Sequence, residues 1–126
     1  MMFQKAILFG DNQTAMQILK TSNPRKQKQL GREIQGFNQS TWDEEKKSIV
    51  YKGNYLKFTQ NVELLDLLLA TQGTLLVEAS PTDKIWGVGM GLDTPELYIP
   101  SKWKGENLLG FILTQLREDI LNKRAV

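Results

Sequence analysis

The sequence predicts a helix-rich α+β fold, a single domain over residues 1–126, and three observations carry that prediction. Apolar residues recur at helical spacing along most of the chain. Two short apolar runs, residues 74–79 and 97–99, have the length of strands rather than helices. The strand-helix alternation of a doubly wound sheet is absent, and 126 residues suit one hydrophobic core better than two.

Local signals set the elements in order. Residues 1–9 have helical periodicity with no cap residue ahead of the first apolar position, so they read as the inside of a helix, closed by Gly10. Asp11 is an N-cap for a second helix through Ala15, Ile18 and Leu19, which Asn23-Pro24 ends. Pro24 suits the first turn of a third helix over residues 26–32. Thr41-Trp42-Asp43-Glu44 has the form of a capping box, which starts a helix near Trp42. That helix either continues to about Phe58 through Gly53 or breaks at Gly53-Asn54. Asn61 caps a strongly apolar helix ended near Gly73, and residues 107–121 form an amphipathic helix that closes the core.

Composition narrows the chemistry. The chain contains no cysteine and no histidine. Disulfides, thiolate metal sites, a cysteine nucleophile and a Ser-His-Asp triad are therefore excluded. Any catalysis falls to carboxylates, lysine, hydroxyls and backbone groups, and no metal or other cofactor is expected. The net charge of +2 arises from 16 basic and 14 acidic residues, so local clusters matter more than the total. The apolar runs fall well short of the ~20 residues of a membrane span, and a soluble, cytoplasmic protein without a membrane partner is expected.

The stretch that concentrates chemistry is residues 78–89. Ser80-Pro81-Thr82-Asp83 reads as a helix start with Ser80 as N-cap, which makes Asp83 a capping carboxylate on local pattern alone. Glu78 at the end of the expected strand and Trp86 beside Asp83 change the balance. Two carboxylates and a flat aromatic surface meet at one junction. Such a set can stack a base and stabilise positive charge at an anomeric carbon. Core packing is the commoner role of a lone tryptophan. The glycines of residues 87–91 are a weak phosphate signal. Arg25, Lys26, Lys28 and Arg32 form a basic cluster that suits a phosphate or serves as a solvated face. Asn61 and Trp103 lie in segments that can line a pocket, though turn and capping chemistry explains both.

At these residues the sequence resembles the NADAR family, also called YbiA-like. The resemblance runs through Gln4-Lys5-Ala6, Phe9-Gly10-Asp11, Lys28 with Gly31-Arg32, Trp42, Lys57-Phe58 with Gln60-Asn61, Glu78-Ala79-Ser80-Pro81 with Asp83 and Trp86-Gly87, and Trp103, Gly105, Asn107-Leu108-Leu109-Gly110 and Arg117. It implies hydrolysis of an N-glycosidic bond in a phosphorylated ribosyl compound, either a riboflavin-pathway intermediate or ADP-ribose on a guanine base, the latter with ADP-ribosylated nucleic acid as partner. It implies Asp83 as the catalytic carboxylate, Trp86 as the stacking surface, and Lys5, Lys28 and Arg32 as phosphate or ribose contacts. Family members carry, ahead of the Gln4-Lys5-Ala6 stretch, a segment with a glutamate to which catalysis is ascribed. The sequence begins at Met1 without it, so a domain lacking that segment is expected, with Glu78 as the substitute carboxylate or as a structural residue. A non-catalytic module that binds ADP-ribose or another nucleotide is the second expectation. A nucleic-acid partner resting on the basic cluster is the third.

Overall fold

The computed structural model describes residues 1–125. Six α-helices succeed one another: α1 (Met2–Leu8), α2 (Asn12–Leu19), α3 (Pro24–Arg32), α4 (Gln39–Thr59), α5 (Val62–Leu69) and α6 (Leu108–Ala125). Two short 3-10 turns, Pro95–Tyr98 and Pro100–Lys102, lie in the long connection between α5 and α6. Among the described residues there is no strand and no helix long and apolar enough to cross a membrane.

The expected α+β class is therefore corrected to an all-helical one, and the reason lies in backbone hydrogen bonding. Residues 75–80 have no regular structure, and their polar groups are taken by side chains and turns rather than by a neighbouring strand. The Leu76 N–H donates to Thr114 Oγ1 at 3.0 Å and the Leu76 carbonyl accepts from Asn107 Nδ2 at 3.1 Å. The Glu78 N–H donates to Asn107 Oδ1 at 2.9 Å. The second expected strand fails because Pro95 and Pro100, each without an N–H, set 3-10 turns that include Leu97 and Tyr98.

The chain divides into two compact units, Met1–Val50 and the part from Tyr51 onward. In the first, Ala6, Ala15, Ile18, Leu30 and Ile34 form the core, with Met2, Phe3 and Phe9 against it. Asp11 caps α2 as expected, accepting from the Thr14 N–H at 3.0 Å and the Thr14 hydroxyl at 2.6 Å. Its other role was not expected: Oδ2 also accepts the Gln35 N–H at 2.9 Å, which ties the start of α2 to the chain beyond α3. These donors hold the Asp11 carboxyl below the usual aspartate range. Asn23 caps α3, accepting from the Arg25 and Lys26 N–H groups, with Pro24 in the first turn. The capping box at Thr41 does not form. Asn38 Oδ1 accepts the Thr41 N–H at 3.0 Å instead, so α4 begins before Trp42 and then runs on through Gly53.

In the second unit, Leu65, Leu68, Leu116 and Ile120 form one cluster, joined by Tyr51, Tyr55 and Phe58. Val88, Met90 and Leu97 form another, joined by Val77, Ala79 and Trp103. Buried Arg117 fastens the turn after α5, donating to the Thr71 carbonyl at 2.8 Å and the Thr74 carbonyl at 2.6 Å. Asn107, fully buried, sits at φ 54° just ahead of α6. Its N–H donates to the Gly87 carbonyl at 3.0 Å, and its own carbonyl accepts the Phe111 N–H at 3.1 Å. Together with its two side-chain bonds, every polar group of Asn107 is engaged. Gly110 lets the 75–80 segment approach: a Cβ there would lie 2.2 Å from the Leu76 carbonyl oxygen.

This packing makes two predictions. Asn107→Ala leaves the Leu76 carbonyl and the Glu78 N–H without partners and keeps a left-handed backbone under a side chain. It should lower stability by at least about 2 kcal/mol, seen as a fall of several degrees in thermal midpoint by circular dichroism. Tyr51 donates its hydroxyl to Asp119 Oδ2 at 2.5 Å, and that hydrogen bond pushes its pKa up to about 12. The folded state thus holds the phenol proton more tightly than the unfolded chain, whose tyrosines ionise near ~10. The contribution is complete below that value and is lost as pH rises toward about 12. Ultraviolet titration of tyrosinate should show a transition near the upper value that Tyr51→Phe removes.

Candidate functional site

Residues 78–89 do not form the helix start that Ser80-Pro81-Thr82-Asp83 suggests. The capping chemistry is present, but it closes a non-helical turn. Ser80 Oγ accepts the Asp83 N–H at 3.1 Å, and Asp83 Oδ1 accepts the N–H groups of Ile85 at 3.0 Å and Trp86 at 2.8 Å. A helix is prevented because the carbonyls that would extend it are occupied from outside: Val88 N–H donates to the Glu78 carbonyl at 3.0 Å and Gly89 N–H to the Asp83 carbonyl at 3.2 Å. Gly87 stands between those two carbonyls. A Cβ there would lie 2.8 Å from the Asp83 oxygen and 2.9 Å from the Glu78 oxygen.

The loop is anchored on its far side to the start of α6. The N–H groups of Glu106, Asn107, Leu108 and Leu109 donate in turn to the carbonyls of Lys84, Gly87, Ile85 and Trp86, at 2.9 to 3.1 Å. Gly105 permits this approach, since a Cβ on it would come within 2.3 Å of the Gly87 carbonyl oxygen. Glu78, Asp83 and Trp86 are consequently held on one backbone scaffold, which is an irregular loop rather than the expected strand-to-helix junction.

Their side-chain polar atoms are not all consumed by that scaffold. Among the described residues no group hydrogen-bonds Asp83 Oδ2, the Glu78 carboxylate or the Trp86 indole N–H, and no buried side-chain polar atom lacks a partner, so these atoms face solvent. Trp86 is half-buried and lies outside all three apolar clusters, which sets it apart from a core tryptophan. A fixed carboxylate oxygen beside an aromatic face can stabilise positive charge on a sugar whose base stacks on the ring.

Lys5, Lys28 and Arg32 belong to the first unit. Lys5, on α1, donates from Nζ to the Gly31 carbonyl at 3.0 Å and lies 4.8 Å from the Phe37 ring centre and 5.4 Å from that of Trp42. Burial, and secondarily the positive charge of Arg32, push its ammonium pKa down. A Cβ on Gly31 would overlap Met2 Sδ at 2.1 Å, so the Met2 side chain lies directly over this glycine and would have to turn aside for any larger residue. Lys28 and Arg32 are exposed and, four residues apart on α3, share a face. The structure therefore brings Arg32 and Lys5 into electrostatic contact and leaves Lys28 one turn away.

Asn61 and Trp103 are engaged structurally. Asn61 stands at the start of α5 without capping it by its side chain, which donates to the Lys57 carbonyl at 2.6 Å. Trp103 donates from Nε1 to the Leu97 carbonyl at 2.8 Å and packs on the Val88 cluster. Sequence reasoning passed over a cavity of about 380 Å³ in the second unit, lined by Pro81, Gly89, Gly91, Thr94, Glu96, Lys102 and Lys104 among others. Its signal was the glycine run of residues 87–91 together with the two lysines flanking Trp103.

Residues 1–121 match the NADAR domain. The chain is 45% identical over 119 residues to N-glycosidase R617 of Acanthamoeba polyphaga mimivirus, covering 94% of this chain and 70% of that protein. It is 40% identical over 125 residues to Protein irg-1 of Caenorhabditis elegans, covering 98% and 59%, and 32% identical over 112 residues to N-glycosidase YbiA of Escherichia coli K12, covering 89% and 63%. The chain thus spans between 59% and 70% of the length of these relatives. With a match that runs through both units and takes in the Asp83 loop, the chain belongs to the NADAR family.

Proposed function

We propose that the chain hydrolyses an N-glycosidic bond in a phosphorylated ribosyl compound, with Asp83 as the catalytic carboxylate. The observation that carries this reading is the half-engaged state of Asp83. One oxygen is fixed by two backbone N–H groups and the other faces solvent, on a loop that also presents Trp86. Two relatives bear the name N-glycosidase. In the reaction the C1′–N bond breaks, the electron pair leaves with the base, a water oxygen bonds to C1′, and the water's proton is passed on to the base. Asp83 stabilises the cationic sugar or accepts the proton from water, and Glu78 supplies a second carboxylate on the same scaffold. The Trp86 face stacks the base. Asn61 and Trp103 support pocket walls in this reading.

The substrate classes that suit these groups are riboflavin-pathway intermediates and ADP-ribosylated guanine, free or in nucleic acid. We assign the activity to the cytoplasm, where a chain without cysteine is indifferent to reducing conditions. Incubation of the protein with both substrate classes, with chromatographic detection of the released base, tests the proposal. No release from either, with ligand binding retained in calorimetry, would leave a binding module in place of an enzyme.

Asp83→Asn preserves an acceptor for the Ile85 and Trp86 N–H groups but removes the charge. It should keep the thermal midpoint and lower kcat by ~100-fold or more. Trp86→Ala should chiefly raise KM, by roughly 5-fold to 100-fold for the loss of one stacked base. Steady-state kinetics on whichever substrate is turned over separates the two effects.

A further inference from the structure

The cavity of about 380 Å³ beside the Asp83 loop has the makings of a separate recognition element. It falls within the ~300–1,000 Å³ range of small-molecule pockets. One wall is the Asp83 loop itself, through Pro81 and through Gly89, whose N–H donates to the Asp83 carbonyl at 3.2 Å. Gly89 has φ 69°, and a Cβ on it would come within 3.1 Å of Lys104 Cβ and 3.2 Å of Lys84 Cγ. Glycine at this position therefore permits both the left-handed turn and the approach of two lysine stems to the loop.

The polar lining is of mixed kind. Lys102 and Lys104 bring two ammonium groups, Thr94 a hydroxyl and Glu96 a carboxylate. Among the described residues neither lysine forms an ion pair, although Glu96 lines the same cavity. Asp93, whose Oδ1 would lie 3.2 Å from a Cβ on Gly91, adds a nearby negative charge. Two unpaired cations with a hydroxyl suit a phosphate, and a separate carboxylate suits sugar hydroxyls, which donate to it.

We propose that this cavity is a ribosyl-phosphate subsite, in which Lys102 and Lys104 hold the phosphate and Glu96 accepts from ribose hydroxyls. It rests on the glycosidase reading and deepens it. The phosphorylated end of the substrate is held against the loop that carries the catalytic carboxylate, by residues of the same unit. The basic face of α3 is then not required for this phosphate.

The test uses ribose 5-phosphate as probe, titrated into the full chain and followed by calorimetry. Saturable binding is expected, with at least tenfold weaker binding by the Lys102→Gln/Lys104→Gln variant at an unchanged thermal midpoint. Lys28→Gln/Arg32→Gln should bind as the unaltered protein does. Glu96→Gln should weaken ribose 5-phosphate while leaving inorganic phosphate unaffected. Absence of binding at millimolar probe, equal affinity in the double lysine variant, or loss of binding confined to the α3 variant would each overturn the proposal. Because no turnover is read, a failed subsite leaves the glycosidase reading standing, and an inactive protein leaves the binding result readable.

Discussion

Asn107 is the residue on which the Asp83 loop of the second unit depends. Its side chain joins the 75–80 segment through two hydrogen bonds, its N–H holds Gly87, and its carbonyl starts α6. One buried amide thus fixes three pieces of chain that are separated in sequence. A sheet would perform the same task with a ladder of backbone bonds. Here a side chain replaces the ladder, and the glycines at 87, 105 and 110 make room for it. Buried amides of this kind are tolerated when their polar atoms find partners, and each of the four polar atoms of Asn107 has one.

The helices were legible in the sequence because they announce themselves locally. Asp11 and Pro24 are read from their own neighbours, and the structure places them where they were expected, as the cap of α2 and in the first turn of α3. The strands were misread because residues 74–79 have the composition of a strand but not its partner. Nothing within the run reveals that its hydrogen bonds will be taken by Asn107, 29 residues beyond Glu78, and by Thr114, 38 residues beyond Leu76. Ser80 to Asp83 shows the same limit. The capping signal is genuine, yet a cap fixes one turn of the backbone and does not dictate the conformation of the next. Carbonyls already taken by Val88 and Gly89 decide against a helix.

The candidate site was legible in its residue types rather than in its geometry. Asp83, Glu78 and Trp86 were chosen for chemistry and turn out to share a scaffold. Lys5 was chosen by resemblance, and the structure adds its aromatic surroundings in Phe37 and Trp42. Trp103 illustrates the converse. Its indole N–H is committed to Leu97 and its ring to a core cluster, so an aromatic beside a lysine-rich segment was a packing residue whose neighbours, Lys102 and Lys104, face the cavity.

The backbone lock on the Asp83 loop separates shape from identity. Its contour is set by main-chain bonds and by glycines, while the side chains of Thr82, Lys84 and Ile85 are exposed and contribute few of those restraints. Such side chains can be exchanged without disturbing the contour. Exchanging them would alter the rim of the candidate site while the Asp83 carboxylate stays where the chain has tied it.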